Sequence, residues 1–266
     1  MVQSVAKVSG VLGPGTTNDF VSPGFGSPDA AILIGSEASD VTNPYVDGAQ
    51  LSLGFWTPAG YGTLGIAGRS GQNISIQSRA AEVSKIAYRN QTLSTSYTAA
   101  PITDGLRITG STVTTGAAYT QVIFLKGVSA KLEKVTFGNL NESETISAIG
   151  FEPKLALFVG NGSAFSGPVG NSIASWGVAT ALQQACLSFG SKSSSNISNL
   201  TQSFFNNRIA TQTYSGAISW SAEITNWGVD SITTTVRGAN AGGDEAHVLL
   251  LGGDVSSAVK IMDTLT

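Results

Sequence analysis

The side chains able to do acid–base, nucleophilic or metal chemistry are few in this chain and stand apart. Among 266 residues there is one histidine, His247, and one cysteine, Cys186. A single histidine rules out two-histidine metal sites and leaves little general acid–base capacity. His247 lies in the run Ala246-His247-Val248-Leu249 and reads as a strand-face residue. Cys186, in Ala185-Cys186-Leu187, reads as a small core residue rather than a nucleophile, and has no second cysteine to pair with. Carboxylates come in predicted loops as Asp40 and Asp47, Glu142 and Glu144, and Asp244 and Glu245. None has the spacing of a calcium loop, and nothing sets two of them across a cleft as glycoside hydrolysis requires. They are expected to be solvated loop acids. Gly60-Tyr61-Gly62-Thr63-Leu64-Gly65 fits the pattern G-x-G-x-x-G, which binds dinucleotides only when a helix follows. The next residues, Ile66-Ala67-Gly68-Arg69-Ser70-Gly71, cannot start a stable one. No catalytic, cofactor-binding or metal-binding residue is assigned, no cofactor is expected, and the chain is not expected to be an enzyme.

Binding without catalysis asks less of the sequence. Trp56, Trp176, Trp220 and Trp227, with Tyr45, Tyr61 and Tyr119, could offer the flat apolar rings that cover the C–H face of a sugar. Trp176 falls in a predicted strand and is expected in the core. Trp56 and Trp227 border predicted turns and are the better candidates. Asn73 and Asn196 begin N-x-[ST] triplets, which a chain this rich in Ser and Thr produces by chance.

The elements that would position these residues come as a repeat. Gly24-Phe25-Gly26-Ser27-Pro28 leads into an apolar run closed by Gly35, and Gly150-Phe151-Glu152-Pro153 leads into another closed by Gly160. Both runs have strand length, lie between turn residues and are too short for an ordinary helix. Other pairs follow in the same order, at an offset of roughly 123 to 125 residues. They are Ala6-Lys7-Val8 with Ala130-Lys131-Leu132, Asn73-Ile74 with Asn196-Ile197, and Ile86-Ala87 with Ile209-Ala210. Further on, Gly105-Leu106 matches Gly228-Val229, Thr112-Val113 matches Thr235-Val236, and Ile123 to Gly127 matches Val248 to Gly252. An ordered series at one spacing implies two copies of one domain. About eight short strands per copy, separated by Gly, Asn, Ser and Asp turns, predict an all-β protein of two tandem duplicated β-sandwich, jelly-roll-like domains. The first spans 1–127 and the second 128–253, with a C-terminal strand or tail over 254–266. Strands are expected near 83–88 and 204–210. Helical period is weak, best over Ser78 to Arg89, so at most one short helix is allowed per copy.

Charged residues make up 12% of the chain and the net charge is −3, which speaks against nucleic acid as a partner. No apolar stretch reaches the length of a membrane span or forms a secretory signal, so no membrane partner is expected and synthesis is expected in a cytoplasm. So few charges imply either neutral polar faces or a surface covered by partners.

In its order of signals the chain resembles a module of bacteriophage virion structural proteins. The likeness is carried by Lys131-Leu132-Glu133-Lys134-Val135-Thr136-Phe137, then Gly150 to Val159, then Ser175-Trp176-Gly177-Val178-Ala179. An Asp-Gly-Phe-type turn follows, matched by Asp104-Gly105-Leu106 and less closely by Trp227-Gly228-Val229, and then a closing strand, Val248 to Gly253. The resemblance covers both copies and implies a virion location, after synthesis in the bacterial host cytoplasm. The expected function is a capsid decoration or cement protein. Its expected partners are other virion proteins, such as the major capsid protein or tail proteins, and further copies of itself. The alternative is a tail or fibre component that binds host surface glycans. Ser256-Ser257-Ala258-Val259-Lys260 repeats an opening strand with no domain behind it, which suggests pairing with its own chain or a neighbour.

Overall fold

The structure is a computed structural model and describes residues 4–12, 15–36, 50–68, 75–80, 88–90, 93–95, 97–110, 118–160, 171–192, 201–214, 217–239 and 241–254. These residues form strands and turns, with no helix among them. The first half supplies β1 (Ser4–Leu12), β2 (Thr17–Val21), β3 (Ala30–Ser36), β4 (Gln50–Thr57), β5 (Gly60–Gly68) and β6 (Ser75–Ala80). It continues with β7 (Tyr88–Asn90), β8 (Leu93–Thr95), β9 (Tyr97–Ile102), β10 (Gly105–Gly110) and β11 (Ala118–Lys126). The second half supplies β12 (Ser129–Phe137), β13 (Ser143–Ile146), β14 (Pro153–Gly160), β15 (Asn171–Ala179) and β16 (Gln184–Lys192). Then come β17 (Thr201–Phe205), β18 (Ala210–Tyr214), β19 (Ala217–Trp227), β20 (Ile232–Arg237) and β21 (Asp244–Gly252).

Each half builds its own pair of antiparallel sheets. A six-stranded sheet of order β1-β11-β3-β4-β5-β6 faces a three-stranded one, β2-β10-β9. In the second half a six-stranded sheet of order β12-β21-β14-β15-β16-β17 faces a four-stranded one, β13-β20-β19-β18. Read in chain order, the large sheets have the same connectivity. First and last strands pair (β1 with β11, β12 with β21) and the next ones inward pair in the small sheet (β2 with β10, β13 with β20). This nesting is jelly-roll-like, but β3 to β6 and β14 to β17 then run as meanders within one sheet.

Three apolar layers result. Phe20, Leu33, Trp56, Leu106, Ile108 and Phe124 fill the first sandwich. Val135, Phe137, Phe158, Trp220, Val236 and Leu250 fill the second. The third layer lies between the two large sheets, where Ile32, Phe55, Ile123 and Leu125 meet Leu155, Leu157, Val159, Leu249 and Leu251. There β5 contacts β12, β14 and β15, so the strands of the two sheets cross. The central strands are thus buried on both faces, which is why β3, β11, β14 and β21 read as nearly continuous apolar runs. Every residue of β21 is buried. In these strands Ile32, Ile123, Leu125, Leu157, Val159, Val248 and Leu250 are buried, while Ile34 is half-buried against the middle layer.

Some expectations are corrected. The strand placed over 204–210 is two strands, β17 and β18, because Asn206-Asn207 turns the chain from the large sheet into the small one. The weak helical period from Ser78 to Arg89 begins in strand β6 and ends in β7, and 81–87 lie outside the described residues. The lysine match is a register slip. Lys7 stands opposite Ile123 and Lys131 opposite Leu250, so the two lysines point to different layers. Ile86-Ala87, Asn73-Ile74, Thr112-Val113, the loop from Glu37 to Gly48 and the tail 255–266 lie outside the described residues.

Only Gly127 and Val128 separate β11 from β12. The Asp29 carboxylate accepts both of their N–H groups, at 2.6 and 3.3 Å. Gly127 has φ 80°, a left-handed conformation that suits glycine and turns the chain sharply into the second sheet.

Candidate functional site

A shallow notch lies at the end of the second sandwich. Thr136, Gly138, Glu142, Glu144 and Thr234 line it. Glu142 closes the turn after β12, accepting the Asn139 main-chain N–H at 2.7 Å and the Asn139 side-chain amide at 2.9 Å. These bonds hold its carboxyl below the usual range. Glu144, on the inner face of β13, accepts the Thr136 N–H at 2.8 Å. Burial pushes its carboxyl up and neighbouring Glu245 adds to this, while the Thr136 N–H and Lys134 work against it. Two carboxylates whose proton affinities are driven apart are what acid–base catalysis employs. Here each is already engaged with main-chain N–H groups, and the arrangement works as a clasp joining β12 to the β13 corner.

Asp244 and Glu245 are not the solvated loop acids the sequence suggests. They open β21, the most enclosed strand, and are buried. Asp244 points into the second core and accepts the indole N–H of Trp220. Glu245 points the opposite way and pairs with Lys134 at 2.8 Å. Asp40 and Asp47 lie outside the described residues.

His247 is a strand-face residue, 3% exposed, and it faces the middle layer. Its ring lies against Gly62 of the first half, so closely that a Cβ on Gly62 would fall 2.3 Å from it. Gly62 belongs to the G-x-G-x-x-G stretch, which runs within strand β5 after the turn at 58–59 and is no phosphate-binding loop; Thr57 Oγ1 donates to Gly60 O across that turn at 3.1 Å. The glycine thus serves close sheet packing. Cys186 is buried in the second half, its sulfur 3.9 Å from Thr211 Oγ1, and burial pushes its thiol up to about 11, away from thiolate chemistry.

Among the described residues the aromatic side chains do not assemble into a sugar platform. Trp56 and Trp220, each 2% exposed, are core residues. Trp56 and Trp227 were the better candidates by their neighbouring turns, but strand alternation in β4 turns Trp56 inward into the core that holds Phe20 and Phe124. Trp176 packs half-buried on the middle layer, Trp227 on the second core and Tyr61 on the first. Tyr119 is half-buried on β11, and Tyr45, Asn73 and Asn196 lie outside the described residues.

Sequence reading missed a repeated aspartate latch. Asp104, at φ 64°, accepts the N–H groups of Gly24 and Gly26 at 3.1 and 2.6 Å, holding the Gly-Phe loop against the β9–β10 turn. Those bonds keep its carboxyl low, the Gly24 bond foremost. In the second half Asp230 does the same for Gly150. The counterpart of Asp104-Gly105 is therefore Asp230-Ser231, not Trp227-Gly228. The Gly-Phe pair itself was the available signal, because in both halves its glycine N–H donates to an aspartate carboxylate.

The outer faces of the two small sheets are hydroxyl-rich. Thr17 bonds to Thr109, Ser143 to Thr235, Thr145 to Thr233 and Thr225 to Thr235, at 2.8 to 3.2 Å. Ion pairs interrupt these rows: Asp19 with Arg107, and Glu223 between Arg208 and Arg237. Neutral hydroxyls thus solvate these faces, as the low charge requires. Large apolar side chains emerge elsewhere, with Leu182 96% exposed in the β15–β16 turn, Val229 82% exposed in the β19–β20 turn and Phe204 69% exposed on β17. Comparison of the chain with protein-family models, curated proteins and solved structures finds no match.

Proposed function

We propose that this chain is a structural protein of a bacteriophage virion, decorating or cementing the capsid shell and assembling with copies of itself. The observation that carries the reading is the pair of sandwiches with one connectivity, fused face to face through an apolar layer. A rigid two-unit block with hydroxyl-coated ends suits a shell-coating part, and the repeated motifs are those that resemble virion modules. The shared connectivity also favours a tandem duplication with units 1–127 and 128–253 and a C-terminal tail over 254–266. The candidate chemistry is consumed by structure: the notch carboxylates clasp turns, the histidine packs and the cysteine is buried. The glycan-binding tail or fibre reading loses Trp56, one of its two better rings, to the core.

Mass spectrometry and immunogold microscopy of density-purified particles, from a host producing the phage that encodes the gene, test the assignment. The expected result is a stoichiometric virion component with label around the head. Absence from purified particles would overturn it, and label confined to tail tips with signal on a glycan array would select the alternative.

A further inference from the structure

We propose that β17 is the edge through which two copies of this chain associate. The large sheets have four edge strands, β1, β6, β12 and β17. Two carry described charges that discourage pairing with another chain: Lys7 on β1, and Lys131, Glu133 and Lys134 on β12. The β17 sequence, Thr-Gln-Ser-Phe-Phe, has no charge and no proline. Among the described residues it pairs on one side only, with β16. Its outer main-chain groups are a template for a further strand.

The side chains extend an interface already present. Trp176 stands opposite Leu187, and Leu187 opposite Phe204, so the three form one row across β15, β16 and β17. The row lies on the face that packs against the first half, where Trp176 adjoins the middle apolar layer. It runs out from under that cover to Phe204. A second copy continues both the sheet and the row. Antiparallel pairing of β17 with itself about Ser203 sets Gln202 of one copy opposite Phe204 of the other, on the same face. Such a contact is two-fold and closes on itself, giving a dimer rather than a fibre.

The inference deepens the self-association in the proposed function and rests on that part of it, not on the virion assignment. It is tested on the full purified chain without particles, so failure here leaves particle location to its own experiment. Sedimentation velocity over a concentration series is expected to show a dimer for the native chain. Phe204→Lys should be monomeric at the same concentrations, with an unchanged melting midpoint because Phe204 is exposed. If that midpoint falls, Gln202→Lys, also at an exposed position, gives the same reading. Phe204→Glu should be monomeric, and adding Gln202→Lys to it should restore the dimer by placing opposite charges across the two-fold. A native chain that stays monomeric overturns the proposal. So does a dimer indifferent to residues 202 and 204, or an edge that captures only a different protein.

Discussion

At the residue scale, chemistry-bearing side chains have become packing and latching groups, and their substitutions should read out as stability. Leu250 is fully buried in the second core. Leu250→Ala is expected to cost about 2–5 kcal/mol in a denaturant titration. Gly62→Ala would press a methyl into the His247 ring and should cost about 1–3 kcal/mol, more than an exposed Gly→Ala change in a strand. Asp104 gives a pH signature. Its folded carboxyl is held below its ordinary value, so its contribution is present above the unfolded pKa and lost as pH falls through the folded one. Stability of the native chain should fall across that acidic window, and Asp104→Asn should be less stable at neutral pH and flatter there. The bland roles of His247 and Cys186 were legible because strand context surrounds each. The burial of Asp244, Glu245 and Trp56 was not, because it depends on which sheet covers a strand end, a fact of tertiary packing.

At the scale of elements, the strands were legible where apolar runs end in glycine, as in β3, β11, β14 and β21. Burial on both faces makes these runs continuous and their boundaries sharp. The small sheets were legible in part: Ile232 to Val236 reads as a strand and is β20, whereas β13, Ser-Glu-Thr-Ile, is short and polar and lacks an apolar signal. The break between β17 and β18 was lost for a related reason. Phe204 and Phe205 look like core residues, and only the neighbouring Asn pair marks the turn. The latches tie such elements together. Asp230→Ala should loosen the Gly150 loop and the β19–β20 turn, seen as faster amide exchange at Ile149 and Gly150 with little change in β21.

At the scale of the molecule, the layer between the large sheets makes the halves interdependent. Produced alone, residues 1–127 or 128–266 would expose Ile32, Phe55 and Leu125 or Leu157, Leu249 and Leu251 to water. Each fragment is expected to aggregate or self-associate, and mixing them during refolding should recover a soluble heterodimer by size-exclusion chromatography. The two-residue linker has a mechanical consequence. Ser4 pairs with Lys126, and Ser129 with Gly252, so the described ends and the linker gather at one corner. Tension applied at residues 4 and 127 peels β1 from β11 one rung at a time, whereas handles at residues 15 and 127 load the same ladder in shear. In an optical trap the first geometry should yield at a markedly lower force. A block tethered by that corner would hold firmly against sideways push yet come away by unzipping, much as adhesive tape lifts from its end.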